Sequence, residues 1–145
     1  MDRHATHDAR ALPFPPAPIF AVLADIENWN SWWPSEVRFR IVQLAPNLVG
    51  SKLEVKVLDR KFYAEVARVE PGKSIAWALR AAPYSGTGTW TLEQDEDRTL
   101  VTYASDLPPH PWIEGHFSDR KEFAAKHTSV IRRALTMLER RLGQA

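Results

Sequence analysis

The sequence predicts a single α+β domain in which a curved, seven-stranded antiparallel sheet wraps a long C-terminal helix, with two short helices between strands 1 and 2. Three observations predict it. Between Val37 and Tyr103 apolar residues recur every second position, the mark of strands with one buried and one wet face. Short, turn-rich connections join these stretches and permit only hairpins between neighbours. From about Ser118 to Leu142 the period becomes 3.6, which predicts one amphipathic helix of roughly 25 residues. At 145 residues the whole chain, 1–145, fits one domain.

The elements follow in order. Residues from about Arg3 to Leu12 alternate weakly and form a first strand. Prolines tolerate only the first turn of a helix, so Pro13 to Pro18 mark a helix start near Pro16, ending about Asp25. Glu27 to Trp33 carry a second short helix or turn, closed by Pro34. Val37, Phe39 and Ile41 then alternate with charged residues, as do Leu53, Val55 and Val57, and Phe62, Ala64 and Val66. Ile75-Trp77-Leu79, Trp90-Leu92 and Val101-Tyr103 continue the meander. The turns are Asp59-Arg60, Glu70 to Lys73, Pro83 to Gly86, and Asp95 to Asp97. Asp106 to Gly115, with Pro108, Pro109 and Pro111, reads as a loop. On the last helix Phe123, His127, Val130, Ile131, Ala134, Leu138 and Leu142 share a face, with Ser118 as the candidate N-cap.

Composition excludes several function classes. There is no cysteine, hence no disulfide, thiolate metal site or cysteine nucleophile. Nineteen basic and eighteen acidic residues give a net charge of +1, so no global field points to nucleic acid. The charged N-terminus and the lack of long apolar windows predict a cytoplasmic protein without stable membrane insertion. No P-loop, nucleophile-elbow, zincin or dinucleotide-loop pattern is present, and no cofactor is expected.

Dimensions then suggest a cavity. Seven strands span about 28 Å at roughly 4.7 Å spacing, whereas one helix covers about 10–12 Å. The uncovered remainder is a natural place for a small molecule. Hairpins symmetric about the turns above put Val55, Ala64, Trp77, Trp90 and Tyr103 in one row across the inner face, opposite Phe123 and His127. Such a wall, aromatic with a few polar tips, suits a flat or amphipathic ligand. Core filling is the more ordinary role for each ring alone.

The segment Pro15-Pro16-Ala17-Pro18-Ile19-Phe20-Ala21-Val22-Leu23-Ala24-Asp25-Ile26-Glu27-Asn28-Trp29-Asn30-Ser31-Trp32-Trp33-Pro34 resembles the opening pattern of the START-like, birch-pollen-allergen-like (SRPBCC) superfamily. Gly50, Gly88-Thr89-Trp90-Thr91-Leu92 and Arg98-Thr99-Leu100-Val101-Thr102-Tyr103 resemble its later strands. The polyketide cyclase/dehydrase and lipid-transport branch is the most similar. The resemblance implies the helix-grip fold and a hydrophobic cavity, often for a lipid, polyketide, quinone or sterol-like ligand. The opening strand, with His4, His7 and Asp8, is more polar than that pattern.

The candidate ligand-binding residues are Trp33, Phe39, Val55, Trp77, Trp90, Tyr103, Phe123 and His127. Trp29 and Trp32 are expected to pack the short helices against the sheet, and Asp25 to bond backbone groups at their junction. His127 and Tyr103 are the only candidates for proton transfer, with a structural role for His127 preferred. His110, Glu114, His116 and Asp119 carry metal-capable groups but match no ligand spacing. Glu93, Asp95, Glu96 and Asp97 read as a solvated turn, and Arg132, Arg133, Arg140 and Arg141 as a basic helix surface. The preferred function is therefore binding of a hydrophobic or aromatic small molecule. The alternatives are a cyclase or dehydratase using the same cavity, and an interaction module of the chaperone-ATPase-activator type docking around Trp112 and Ile113, with Trp112 equally suited to be a lid over the cavity entrance. The oligomeric state, monomer or homodimer, is left open.

Overall fold

A computed structural model describes residues 4–57, 60–81, 84–107 and 120–144. The elements run β1 (His4–Leu12), α1 (Pro16–Ala24), a 3-10 segment (Ile26–Ser31), β2 (Val37–Gln43), β3 (Lys52–Val57) and β4 (Arg60–Glu70). They continue with β5 (Ser74–Ala81), β6 (Tyr84–Asp95), β7 (Arg98–Leu107) and α2 (Arg120–Gly143). The strands form one antiparallel sheet ordered β1-β7-β6-β5-β4-β3-β2. This is the predicted helix-grip arrangement. The meander follows from its short connections, and β1 closes the far side against β7.

Two proline-led features set the entry to the sheet. Pro16 occupies the first turn of α1, where a missing N–H costs nothing, and Ile19 and Leu23 are its buried contacts. The 3-10 segment and the corner that follows it then lay Trp29, Trp32 and Trp33 over the inner face. Two side chains fasten it to β2, an edge strand. The Asn30 amide donates to the Phe39 carbonyl at 2.8 Å and accepts from the Phe39 N–H at 2.9 Å. The Arg38 guanidinium donates to the carbonyls of Trp33 (2.8 Å), Pro34 (2.9 Å) and Asn30 (3.0 Å). An edge that would otherwise present open backbone groups is thereby partly closed.

The strand register differs from the symmetric one. Trp90 does face Tyr103, but Trp77 pairs with Gly88, Ala64 with Leu79, and Val55 with Phe62. The cause lies in the turns. Ala81 already pairs with Tyr84, so the β5–β6 turn comes earlier than Pro83–Gly86. Ala64 and Leu79 are symmetric about Glu70–Lys73, so that turn does not put Ala64 beside Trp77; nearer the turn the ladder slips between Val66 and Arg68, where Ala67 is an extra residue. The predicted single row is therefore staggered, which places a glycine opposite Trp77.

Helix α2 buries Phe123, Ile131, Ala134, Leu135, Leu138 and Leu142, the predicted face with Leu135 added and with His127 and Val130 only partly buried. It runs alongside β1, and the polarity of that strand has its reason there. Thr6, Asp8 and Arg10 share one side of β1, and all three bond to α2. His7 lies exposed on the other side, and Leu12, fully buried, ends the strand. The loop candidates His110, Trp112, Ile113, Glu114, His116, Ser118 and Asp119 lie outside the described residues. Among the described residues no helix is long and apolar enough to cross a membrane.

Candidate functional site

The predicted ligand-binding aromatics form one continuous path through the interior. Trp33 meets Phe39 edge to face at 5.1 Å, and Phe39 lies 6.2 Å from Trp77. Trp77 meets Tyr103 at 6.3 Å and 88°, and Trp90 sits 4.7 Å from Tyr103. Tyr103 stacks on His127 at 6.3 Å and 20°, and His127 lies 5.8 Å from Phe123. Val55 on β3 lies opposite Phe39 on the edge strand β2. Every residue of the candidate set is thus brought together. Their rings touch one another, each such pair adding about 0.5–1.5 kcal/mol beyond area burial.

Trp29 and Trp32, expected to be packing residues, belong to the same cluster. Trp29 contacts Phe39 at 5.0 Å and Trp77 at 5.1 Å, and its indole N–H donates to the Leu23 carbonyl at 3.0 Å. Trp32 reaches Trp33 at 5.6 Å and Trp90 at 6.4 Å. These three indoles supply cover that α2, lying toward β1, does not. The width mismatch between sheet and helix is met here by side chains of the 3-10 segment and the corner after it.

Gly88 was not among the candidates, yet it makes room for the centre of the path. A Cβ at this position would overlap Trp77 Nε1 and Tyr103 Oη. The missing side chain lets the Trp77 N–H donate to the Tyr103 hydroxyl at 2.9 Å across the strand between them. A glycine inside an alternating strand was the available signal, since it marks close approach of neighbouring groups.

Polar tips elsewhere in the interior are divided unequally. The Thr6 hydroxyl lies 2.6 Å from that of Ser105 and 3.1 Å from His127 Nδ1, and the Ser105 hydroxyl lies 3.4 Å from His127 Nε2. The Thr128 hydroxyl donates to the buried Asp8 carboxylate at 3.3 Å. Burial pulls the His127 pKa down to about 4, against the opposing charge of Asp8, so the imidazole is neutral at pH 7. Burial raises the Tyr103 phenol well above its ordinary value, with the Trp77 hydrogen bond acting the other way. By contrast, the buried indole nitrogens of Trp32, Trp33 and Trp90 have no hydrogen-bond partner. Each such donor costs about 1–3 kcal/mol of lost hydration.

The remaining predicted residues lie at the surface. Asp25 accepts from the Asn28 side chain at 2.7 Å instead of from backbone. Glu93, Asp95, Glu96 and Asp97 are exposed at the β6–β7 hairpin, where Glu96 takes a φ of 57°. Arg132, Arg133, Arg140 and Arg141 are exposed, and Arg133 pairs with Glu36. An open surface pocket of about 260 Å³ lies between the α1 end (Ala24 to Glu27) and the loop after β2 (Leu44 to Leu48). It contains none of the predicted site residues. Among the described residues no group of three or more metal-capable side chains is assembled.

A helix-gripping sheet with an aromatic interior defines the class, and the sequence places the chain within it. The family described as "Polyketide cyclase / dehydrase and lipid transport" matches residues 3–143, and the chain belongs to that family. No curated protein sequence matches significantly. Among solved structures, TTHA0849 from Thermus thermophilus is similar with a TM-score of 0.74 and 16% identity, covering 95% of this chain and 96% of that one. The di-domain ARO/CYC StfQ of the steffimycin biosynthetic pathway gives 0.77 and 12% identity, over 95% of this chain and 50% of StfQ. The present chain therefore spans half of StfQ. The Aha1 dimer from Colwellia psychrerythraea gives 0.69 and 16% identity, over 95% of each chain. At these identities the likeness is one of fold.

Proposed function

We propose that the protein binds a hydrophobic or aromatic small molecule, lipid-, polyketide- or quinone-like, in the interior between the sheet and α2. The observation that carries this reading is the aromatic path from Trp33 to Phe123, whose rings offer faces while its central polar tips are already engaged. The Tyr103 hydroxyl accepts from Trp77, and both nitrogens of His127 lie near the Thr6 and Ser105 hydroxyls. Groups so occupied favour orienting a guest over moving its protons. Family membership accommodates this reading, since lipid transport stands beside cyclase and dehydrase in the family's description.

Native mass spectrometry of the protein purified from its own source tests the reading. A co-purifying small molecule, released on denaturation, is the expected result. Absence of any such mass, together with no binding of apolar fluorescent probes, overturns it.

The cyclase or dehydratase reading has one observation in its favour. An imidazole kept neutral by burial can accept a proton at pH 7, and Thr6 and Ser105 could relay it. That reading requires turnover of a polyketide-like substrate to fall when His127 is replaced by Gln while ligand affinity persists. The interaction-module reading shares its fold with the Aha1 dimer.

A further inference from the structure

The five tryptophans described by the structure fall into two groups. The indole N–H groups of Trp29 and Trp77 are held, by the Leu23 carbonyl at 3.0 Å and the Tyr103 hydroxyl at 2.9 Å. Those of Trp32, Trp33 and Trp90 are sealed from solvent and bond to nothing. The second group is one cluster, with Trp32–Trp33 at 5.6 Å, Trp33–Trp90 at 6.0 Å and Trp32–Trp90 at 6.4 Å. The contrast continues in the backbone. Arg38 grips the Trp33 and Pro34 carbonyls, and Asn30 is bonded on both sides of its amide to Phe39. The segment is fixed at its main chain, while the Trp32 and Trp33 indoles that follow it make no hydrogen bond through their N–H groups.

Native interiors rarely leave buried donors unpaired, and a group of them calls for an acceptor. Edge-to-face contact, as between Trp33 and Trp90 at 85°, offers an indole N–H only a weak partner in a ring face. A carbonyl or phenolic oxygen is a far better one, and three neighbouring unpaired donors recognise oxygen on a ligand that a hydrocarbon of the same shape lacks. A site with buried donors rejects the analogue without acceptors, because filling it with hydrocarbon leaves the donors as they were.

From this we infer that Trp32, Trp33 and Trp90 form an acceptor-recognition site, at the junction of the 3-10 segment and β6, for a flat aromatic ligand carrying carbonyl or phenolic oxygen. The ring cluster parts to admit it while Trp29 and Trp77 keep their places. This rests on the reading of the interior as a small-molecule site and adds to it a chemical selectivity and the residues that impose it.

The test compares 9-fluorenone with fluorene, two planar molecules of nearly the same shape that differ by a carbonyl oxygen. Each is titrated into the full chain labelled with nitrogen-15, reading the indole N–H resonances, of which six tryptophans give six. Expected are binding of fluorenone at least about tenfold tighter than fluorene and a downfield move of one or two of the Trp32, Trp33 and Trp90 indole resonances, since its one carbonyl oxygen offers two lone pairs. Trp33→Phe and Trp90→Phe, which keep a ring and remove a donor, assign two of those three and bring the affinity ratio toward one. Equal affinity for the two probes, or fluorenone binding that leaves the three resonances in place, overturns the acceptor site while the binding function stands. Failure of both probes to bind, with no co-purifying molecule, removes both.

Discussion

The interior has two ends built on opposite terms. Under α1 and the 3-10 segment, Trp29, Trp32, Trp33, Phe39, Trp77 and Trp90 pack ring against ring, and three of five indole donors lack partners. Under α2, polar side chains line β1 and β7 and nearly every one is matched. Thr6 and Ser105 flank His127, Asp8 accepts from Thr128, and Arg10 reaches Thr136 and Glu139. The first end gains by burying area and tolerates unmet donors; the second buries the apolar face of α2 and also meets its hydrogen bonds. Position in register is fixed by the second, because bonds are directional. Capacity to rearrange belongs to the first, because ring contacts can be exchanged at small cost.

The largest effect is expected at the aromatic end. Trp29 is 1% exposed, touches Trp32, Trp33, Phe39 and Trp77, and bonds to Leu23. Trp29→Ala should destabilise by about 3–5 kcal/mol, measured by urea unfolding. A loss below about 1 kcal/mol would mean that the cluster is not a packed unit, and the comparison would break. Gly88→Ala comes next. Its methyl group would enter the space of Trp77 Nε1 and Tyr103 Oη, forcing apart the bond that links the two ends, at about 1–3 kcal/mol. The Trp77 indole resonance should move with it.

How much of this was legible in the sequence follows from the same division. Period-two alternation needs no register to be read, so the strands, the long helix and the aromatic residues of the interior were all accessible. Register was not, because it depends on where turns begin and on the extra residue at Ala67, and neither leaves a hydrophobic signature. Trp77 consequently faces Gly88, and the pairing of Trp77 with Tyr103 arises diagonally across that glycine. The polarity of β1 looked like a departure from the family pattern. Its meaning depends on α2, more than a hundred residues away in sequence, whose Thr128, Thr136 and Glu139 look unremarkable until the strand lies beside them. Acceptors and donors that meet only through tertiary packing carry no periodicity to announce them.

At the polar end the expected effect is a pH slope. The unfolded histidine has a pKa of about 6.5, and burial lowers His127 to about 4 in the fold. Between these values the unfolded chain binds the extra proton, so stability is full above about pH 6.5, falls as pH drops toward 4, and levels off below. The loss is on the order of 2 kcal/mol across that window. His127→Gln, which keeps hydrogen-bonding atoms near Thr6 and Ser105, should flatten the slope. A wild-type curve already flat from pH 7 to 4.5 would show that the imidazole is not desolvated, and the two ends would then differ less than their packing implies.

The smallest effect concerns a second, surface contact between the two ends. Arg133 on α2 pairs with Glu36, two residues past the Trp33-Pro34 corner. The guanidinium holds the Glu36 carboxyl below its ordinary pKa, with burial opposing. Both side chains are substantially exposed, so water and salt screen the pair and its worth is at most about 1 kcal/mol. Glu36→Gln should therefore lower stability by no more than that at low salt, and the difference should shrink as salt is raised. The informative quantity is cooperativity. If the ring cluster and the polar seam are joined chiefly through Gly88, Trp77 and Tyr103, loss of the surface pair leaves a single unfolding transition. Separate transitions for tryptophan fluorescence and helical signal in the Glu36→Gln protein would instead assign the coupling to this ion pair, and the interior path would be two clusters that happen to touch.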